Sequence, residues 1–134
     1  MGMGRLSKIK ILIVGSPSVA RVIAHLFHGR AEFEVVGTIS GFESLGQQSG
    51  QLVPELIVAN VKPVSTGIRR VVSAIKQSSP LSKLILTCAV EDLSHLARKS
   101  GADAYLNDEK LASHLLRVAR TLADRPTMSA AGVG

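Results

Sequence analysis

Tryptophan is absent from the 134 residues, and the aromatic share is 3%, made up of one Tyr and three Phe. The core must therefore be built from Val, Ile, Leu and Ala, which suits a compact mixture of strands and helices, and there is little on which nucleic-acid bases could stack. Cysteine occurs once, at Cys88, so no internal disulfide can form. The opening MGMGRLSKIK lacks an apolar signal region, and nothing in it argues for secretion. No apolar run approaches the roughly 18 residues of a membrane span, so a cytoplasmic protein with no membrane partner is expected. Runs of four or more basic residues are also missing, although 16 Lys and Arg against 10 Asp and Glu give a formal charge of +6. Scattered cations argue against nucleic-acid binding by this domain alone and leave it a third reading, one that demands steep salt dependence.

What is present alternates between two periods. KIKILIVG (8–15) reads as a strand whose apolar run, Ile11 to Val14, suits a sheet covered on both faces. In the segment after it, Val19, Val22, Ile23, Leu26 and Phe27 repeat at helical spacing. Ser16 or Ser18 can cap this helix, Pro17 suits its first turn, and Gly29 can close it. FEVVGTI (33–39) is the second strand, followed by a capping-box pair, Ser40 and Glu43, that predicts a short helix over roughly 41–51.

ELIVAN (55–60) is the third strand, and the stripe Ile68, Val71, Val72 and Ile75 marks the third helix. KLILTCA (83–89) is the fourth strand; EDLSHLARKSG (91–101) predicts a helix with acids in its first turn, bases in its last and Gly101 at its end. DAYL (103–106) is the fifth strand, before a last helix over 108–123 with a face of Leu111, Leu115, Val118 and Leu122. Repeated βα units without hairpin signals require crossovers, hence a parallel sheet flanked by five helices in a doubly wound α/β domain over 8–123. Residues 1–7 read as a disordered extension, and 124–134 as a flexible tail or linker.

In such sheets the functional crevice lies at the carboxyl ends of the strands. The element order and the phrases ILIVGSPSVAR, FEVVGTISG, PELIVANVKPVSTG, KLILTCA and GADAYL resemble the receiver domain of two-component response regulators, the CheY-like or flavodoxin-like fold. The resemblance implies a strand order of 2-1-3-4-5. It also implies a phosphorylation pocket: two acids after the first strand holding Mg²⁺, an Asp ending the third that accepts phosphate, a Ser or Thr ending the fourth, and a Lys after the fifth. Carried over, those positions fall on Gly15 and Ser16, Asn60, Cys88, and Asp108, none with the family's side chain. Thr87, beside Cys88, would supply the hydroxyl, but from the other face of its strand. Tyr105 keeps the family's switch aromatic.

Taken without the family, the chemistry of these residues leaves no phosphoryl transfer. Mg²⁺ needs charged oxygen ligands, which Gly15 and Ser16 do not supply, so neither metal nor cofactor is expected. A carboxamide is a feeble nucleophile, and an anion at Asp108 repels phosphate. Asn60 is either a lock that ties neighbouring loops in one state or simply a satisfied polar strand end. GSPS (15–18) lacks the glycine spacing of a nucleotide loop, Cys88 suits an inert buried thiol, and of His25, His28, His95 and His114, spread over three helices, only His25 and His28 share a face, two ligands without a third for a metal.

These readings describe no enzyme. They describe a phosphorylation-independent pseudo-receiver, a protein–protein interaction module in bacterial signalling or transcriptional regulation. Its partner would be a second copy, another protein or an output domain beyond the tail. By resemblance the docking surface is the fourth helix, fifth strand and fifth helix, with Arg98, Lys99, Tyr105, Lys110, His114 and Arg117; a solvated charged face explains the same residues. The alternative is a small-molecule sensor that uses the uncharged pocket.

Overall fold

A computed structural model describes residues 8–40, 54–61, 65–88 and 101–124. Five strands form one parallel sheet: β1 (Ile9–Val14), β2 (Phe33–Ile39), β3 (Leu56–Asn60), β4 (Lys83–Cys88) and β5 (Ala104–Asn107), in the order β2-β1-β3-β4-β5. Three α-helices are described: α1 (Pro17–Phe27), α2 (Ser65–Ser78) and α3 (Leu111–Ala123). The expected count of five is thus met only to three among the described residues, because residues 41–51 and 91–100, where two helices are predicted, lie outside them, as do residues 1–7 and 125–134. Among the described residues no helix is long and apolar enough to cross a membrane.

Strands buried on both faces explain the continuous apolar runs. Ile11, Ile13, Leu56, Val58, Ile85 and Leu106 pack on one side with Ile23 and Phe27 of α1 and Leu115 and Leu122 of α3. Leu12, Val14, Ile57, Leu84, Leu86 and Cys88 pack on the other with Val72 and Ile75 of α2. The edge strand β2 carries an irregularity opposite Ile11 and Leu12, where Val36 is an extra residue, as bulges at sheet edges do.

Two expected helix faces shift slightly. In α1 the buried residues are Ala20, Ile23 and Phe27, whereas Val22 is 56% exposed. Val22 lies about 100° around the helix from Ile23, beyond the stripe that faces the sheet. The last helix starts late: Asp108–Lys110 forms a 3-10 turn, and α3 then buries Leu111, Leu115, Ala119 and Leu122, leaving Val118 partly covered.

The ends of α1 follow the sequence signals. Ser16 takes the N-cap position of α1 without a side-chain cap bond, and Pro17 opens the helix. Gly29, with φ of 78°, reverses the chain after His28, and Gly101 has φ of 104° just before β5. Past this turn, Lys76 reaches from α2 to Asp103 at 2.7 Å, while the same carboxylate accepts the Leu84 N–H at 2.7 Å. That contact ties α2 to the approach of β5; the exposed pair of Arg120 and Glu32 ties α3 to the start of β2 and contributes little energy in water.

Candidate functional site

Following the odd-numbered face of β1 beyond Ile11 and Ile13 leads to Gly15. The same face of β3 leads from Leu56 and Val58 to Asn60, that of β4 from Ile85 to Thr87, and that of β5 from Leu106 to Asp108. Four strands therefore deliver Gly15, Asn60, Thr87 and Asp108 to the carboxyl edge above one core face. Register alone places Asn60 against Thr87.

Side chains complete the arrangement. The Asn60 amide nitrogen donates to the Thr87 hydroxyl at 2.7 Å and to a carboxylate oxygen of Asp108 at 3.2 Å. Both amide hydrogens are thereby used, and the nitrogen must face Asp108, since an oxygen there would meet like charge. Thr87 is fully buried, whereas Asn60 and Asp108 are half-buried. Asn107 holds the adjoining 3-10 turn by accepting the Glu109 N–H on its side-chain oxygen at 3.0 Å.

This corrects the strand-four position from Cys88 to Thr87. Cys88 is buried on the opposite face among Leu84, Leu86 and Val14, an inert setting. Because β4 is apolar on both sides, its alternation is invisible in the sequence, and only pairing with β3 reveals which side chain meets Asn60. Gly15 proves to be a packing partner as well: a Cβ added there would stand 3.3 Å from the Cβ of Asn60. Ser16 is exposed at the start of α1.

Burial pushes the Asp108 carboxyl above the ordinary carboxylate range, and the hydrogen bond from Asn60 partly opposes that shift. A raised folded pKa means that the charged form is penalised on folding. This penalty is complete above the folded pKa and disappears as pH falls toward the ordinary value of 3.8. Asp108→Asn should therefore be at least as stable as the parent at neutral pH, and the difference between the two should shrink on acidification. Paired urea titrations at several pH values check this.

The donor set does not fit Mg²⁺. Gly15 and Ser16 bring no carboxylate, and the Asp108 carboxylate, which is present among the described residues of this edge, is engaged by Asn60. Among the described residues no group of three His, Cys, Asp or Glu stands where it could hold a metal ion.

The expected docking surface is represented in part. Tyr105 packs beside the α2 core, Lys110 lies in the 3-10 turn, and Arg117 is exposed on α3. His114 is half-buried, with its Nδ1 2.6 Å from the Ser113 hydroxyl. Arg98 and Lys99 lie outside the described residues.

No family model matches the chain, nor does any curated protein. Solved structures do. The response regulator domain of Thermotoga maritima CheB is 19% identical, with 88% of this chain and 98% of that one covered at a TM-score of 0.76. The chain has the receiver fold. A LuxR-family two-component response regulator from Aurantimonas sp. SI85-9A1 is 18% identical over 89% of this chain and 88% of its own, with a TM-score of 0.74. Salmonella typhimurium RcsB, a response regulator, shares 12% identity over 93% of this chain and 67% of its own, at 0.78. Each of these neighbours is a response regulator or a response regulator domain. At such identities the likeness is one of fold, and what the site does rests on its own residues.

Proposed function

We propose that the protein is a signalling receiver that works without phosphorylation, docking on protein partners in one fixed state. The observation that carries this reading is the single amide of Asn60 bonded to both Thr87 and Asp108. Where the receiver resemblance has a nucleophilic carboxylate, a responding hydroxyl and a cation, this chain has a closed hydrogen-bonded triad. The hydroxyl of Thr87 is already occupied, so it needs no phosphoryl group to hold it inward. Asp108 replaces a phosphate-binding cation with an anion, which turns the local electrostatics against phosphate.

Its partner surface, in this proposal, is the side of β5 and α3 that carries Tyr105, Lys110, His114 and Arg117. An output domain joined through the C-terminal tail is one natural occupant, a second copy another. Intact-mass spectrometry after incubation with acetyl phosphate and Mg²⁺ tests the chemistry: the expected mass is unchanged. A phosphoryl adduct mapped to Asn60 or a neighbouring residue would overturn the reading.

A further inference from the structure

At the opposite edge of the sheet, where β1 and β2 begin and α1 ends, lies a half-open cleft of about 490 Å³. Its rim carries Lys8, His28 and Arg30, and its wall includes Phe27, Phe33 and Val35. Among the described residues no acidic side chain lines it. Glu32 stands nearby, but Arg120 holds its carboxylate, and that ion pair keeps Glu32 below the ordinary carboxylate range with Arg30 adding to the effect. Among the described residues neither Lys8 nor Arg30 has a salt-bridge partner, and both are exposed.

We infer that this cleft binds a small phosphorylated organic molecule, its phosphate between Lys8 and Arg30 and its body against the apolar wall. Charge selects the anion. Two permanent cations match a phosphate monoester, which carries about −1.5 to −2 at neutral pH, whereas a monocarboxylate would leave one of them unmatched. Arg30 offers a planar fork and Lys8 a compact charge, the two modes by which proteins hold phosphate oxygens.

Size and wall select the organic part. The volume falls within the ~300–1,000 Å³ of small-molecule sites and far exceeds the ~30 Å³ share of one water, so a bare phosphate would leave it mostly empty. The His28 ring, stacked on His25 with planes 8° apart, adds a flat rim.

One effect opposes the assignment. The cleft sits at the C-terminus of α1, whose partial negative charge of about half a unit disfavours anions. The last carbonyls are partly satisfied, however: that of His25 accepts the His28 N–H and that of Phe27 accepts the Arg30 N–H. Two full cations outweigh what remains.

The test is an amide NMR titration of the isotopically labelled 134-residue chain with AMP, CMP and ribose 5-phosphate, with inorganic phosphate and adenosine as separate arms. At least one phosphate ester should give saturable shifts centred on Gly29, Arg30, Ala31 and Phe33. Phosphate alone and adenosine alone should bind about tenfold more weakly or worse. A Lys8→Ala, Arg30→Ala variant should weaken the ester about tenfold or more while its spectrum away from the cleft stays in place. The proposal is overturned by any of four results: no saturable shift with any ester, shifts spread over unrelated basic residues, undiminished binding by the double variant, or inorganic phosphate binding as tightly as the esters.

Discussion

Asn60→Asp should lower the stability of the protein by about 2 kcal/mol at pH 7, a large loss for a change of one atom in shape. The substitution removes both amide donors. Thr87 can compensate by turning its hydroxyl to donate to the new carboxylate. Asp108 cannot, and two carboxylate oxygens would meet at the position of the present 3.2 Å contact. Unit charges about 4 Å apart near a protein surface repel by about 4 kcal/mol, a figure that solvent reaching the half-exposed Asp108 must reduce. Relief comes by protonation: the pair keeps one proton to a pH well above that of a lone carboxylate and titrates as a unit. Because the folded pKa is raised, the penalty is full above it and vanishes as pH falls to the ordinary Asp value near 3.9. Urea denaturation at pH 7 and pH 4 reads both halves of the argument, and adding Asp108→Asn should restore the neutral-pH loss. Equal stability of Asn60→Asp and the parent at pH 7 would show that the hydrogen bonds of Asn60 do not hold the edge together.

The strands were legible because each is a short, branched apolar run between turn residues, and their ends came within a residue or two of the observed ones. Parallel pairing followed from the lack of hairpins, and the 2-1-3-4-5 order from the resemblance. Where the sequence misled, tertiary geometry decided. Val22 repeats at helical spacing yet faces solvent, since an 11-residue helix offers the sheet only part of its circumference. Cys88 and Thr87 are both fully buried, so neither hydropathy nor period distinguishes the one that meets Asn60. The role of Gly15 as a close neighbour of Asn60 was hidden for a simpler reason: a missing side chain gives no sign of what lies where it would be. The cleft between Lys8 and Arg30 joins residues more than a helix apart, with no motif to announce it.

The fourfold variant Gly15→Asp, Ser16→Asp, Asn60→Asp, Asp108→Lys should acquire what the parent is proposed to lack, namely Mg²⁺ binding and a phosphoryl adduct from acetyl phosphate. None of the single variants should do so. Asn60→Asp alone offers a nucleophile but adds charge beside Asp108; the two acids after β1 alone add charge with no acceptor; Asp108→Lys alone places a cation beside an amide. Only together do three carboxylates create a site for a hard divalent ion, with a lysine to meet the incoming phosphate. Mg²⁺ then stabilises the folded state by mass action, about 2.7 kcal/mol at a hundredfold excess over its dissociation constant, which a melting curve resolves readily. One contact stands in the way: a Cβ at position 15 meets that of residue 60 at 3.3 Å, so the ends of β1 and β3 must part by a few tenths of an ångström. A companion variant with Gly15→Asn and the other three changes keeps the crowding without the charge and so separates the two. If the fourfold variant folds, binds Mg²⁺ and still takes no phosphoryl group, the missing charges are not what silences this site. If the parent already gains as much stability from Mg²⁺ as the variant does, its edge was never the nearly neutral surface that its residues describe.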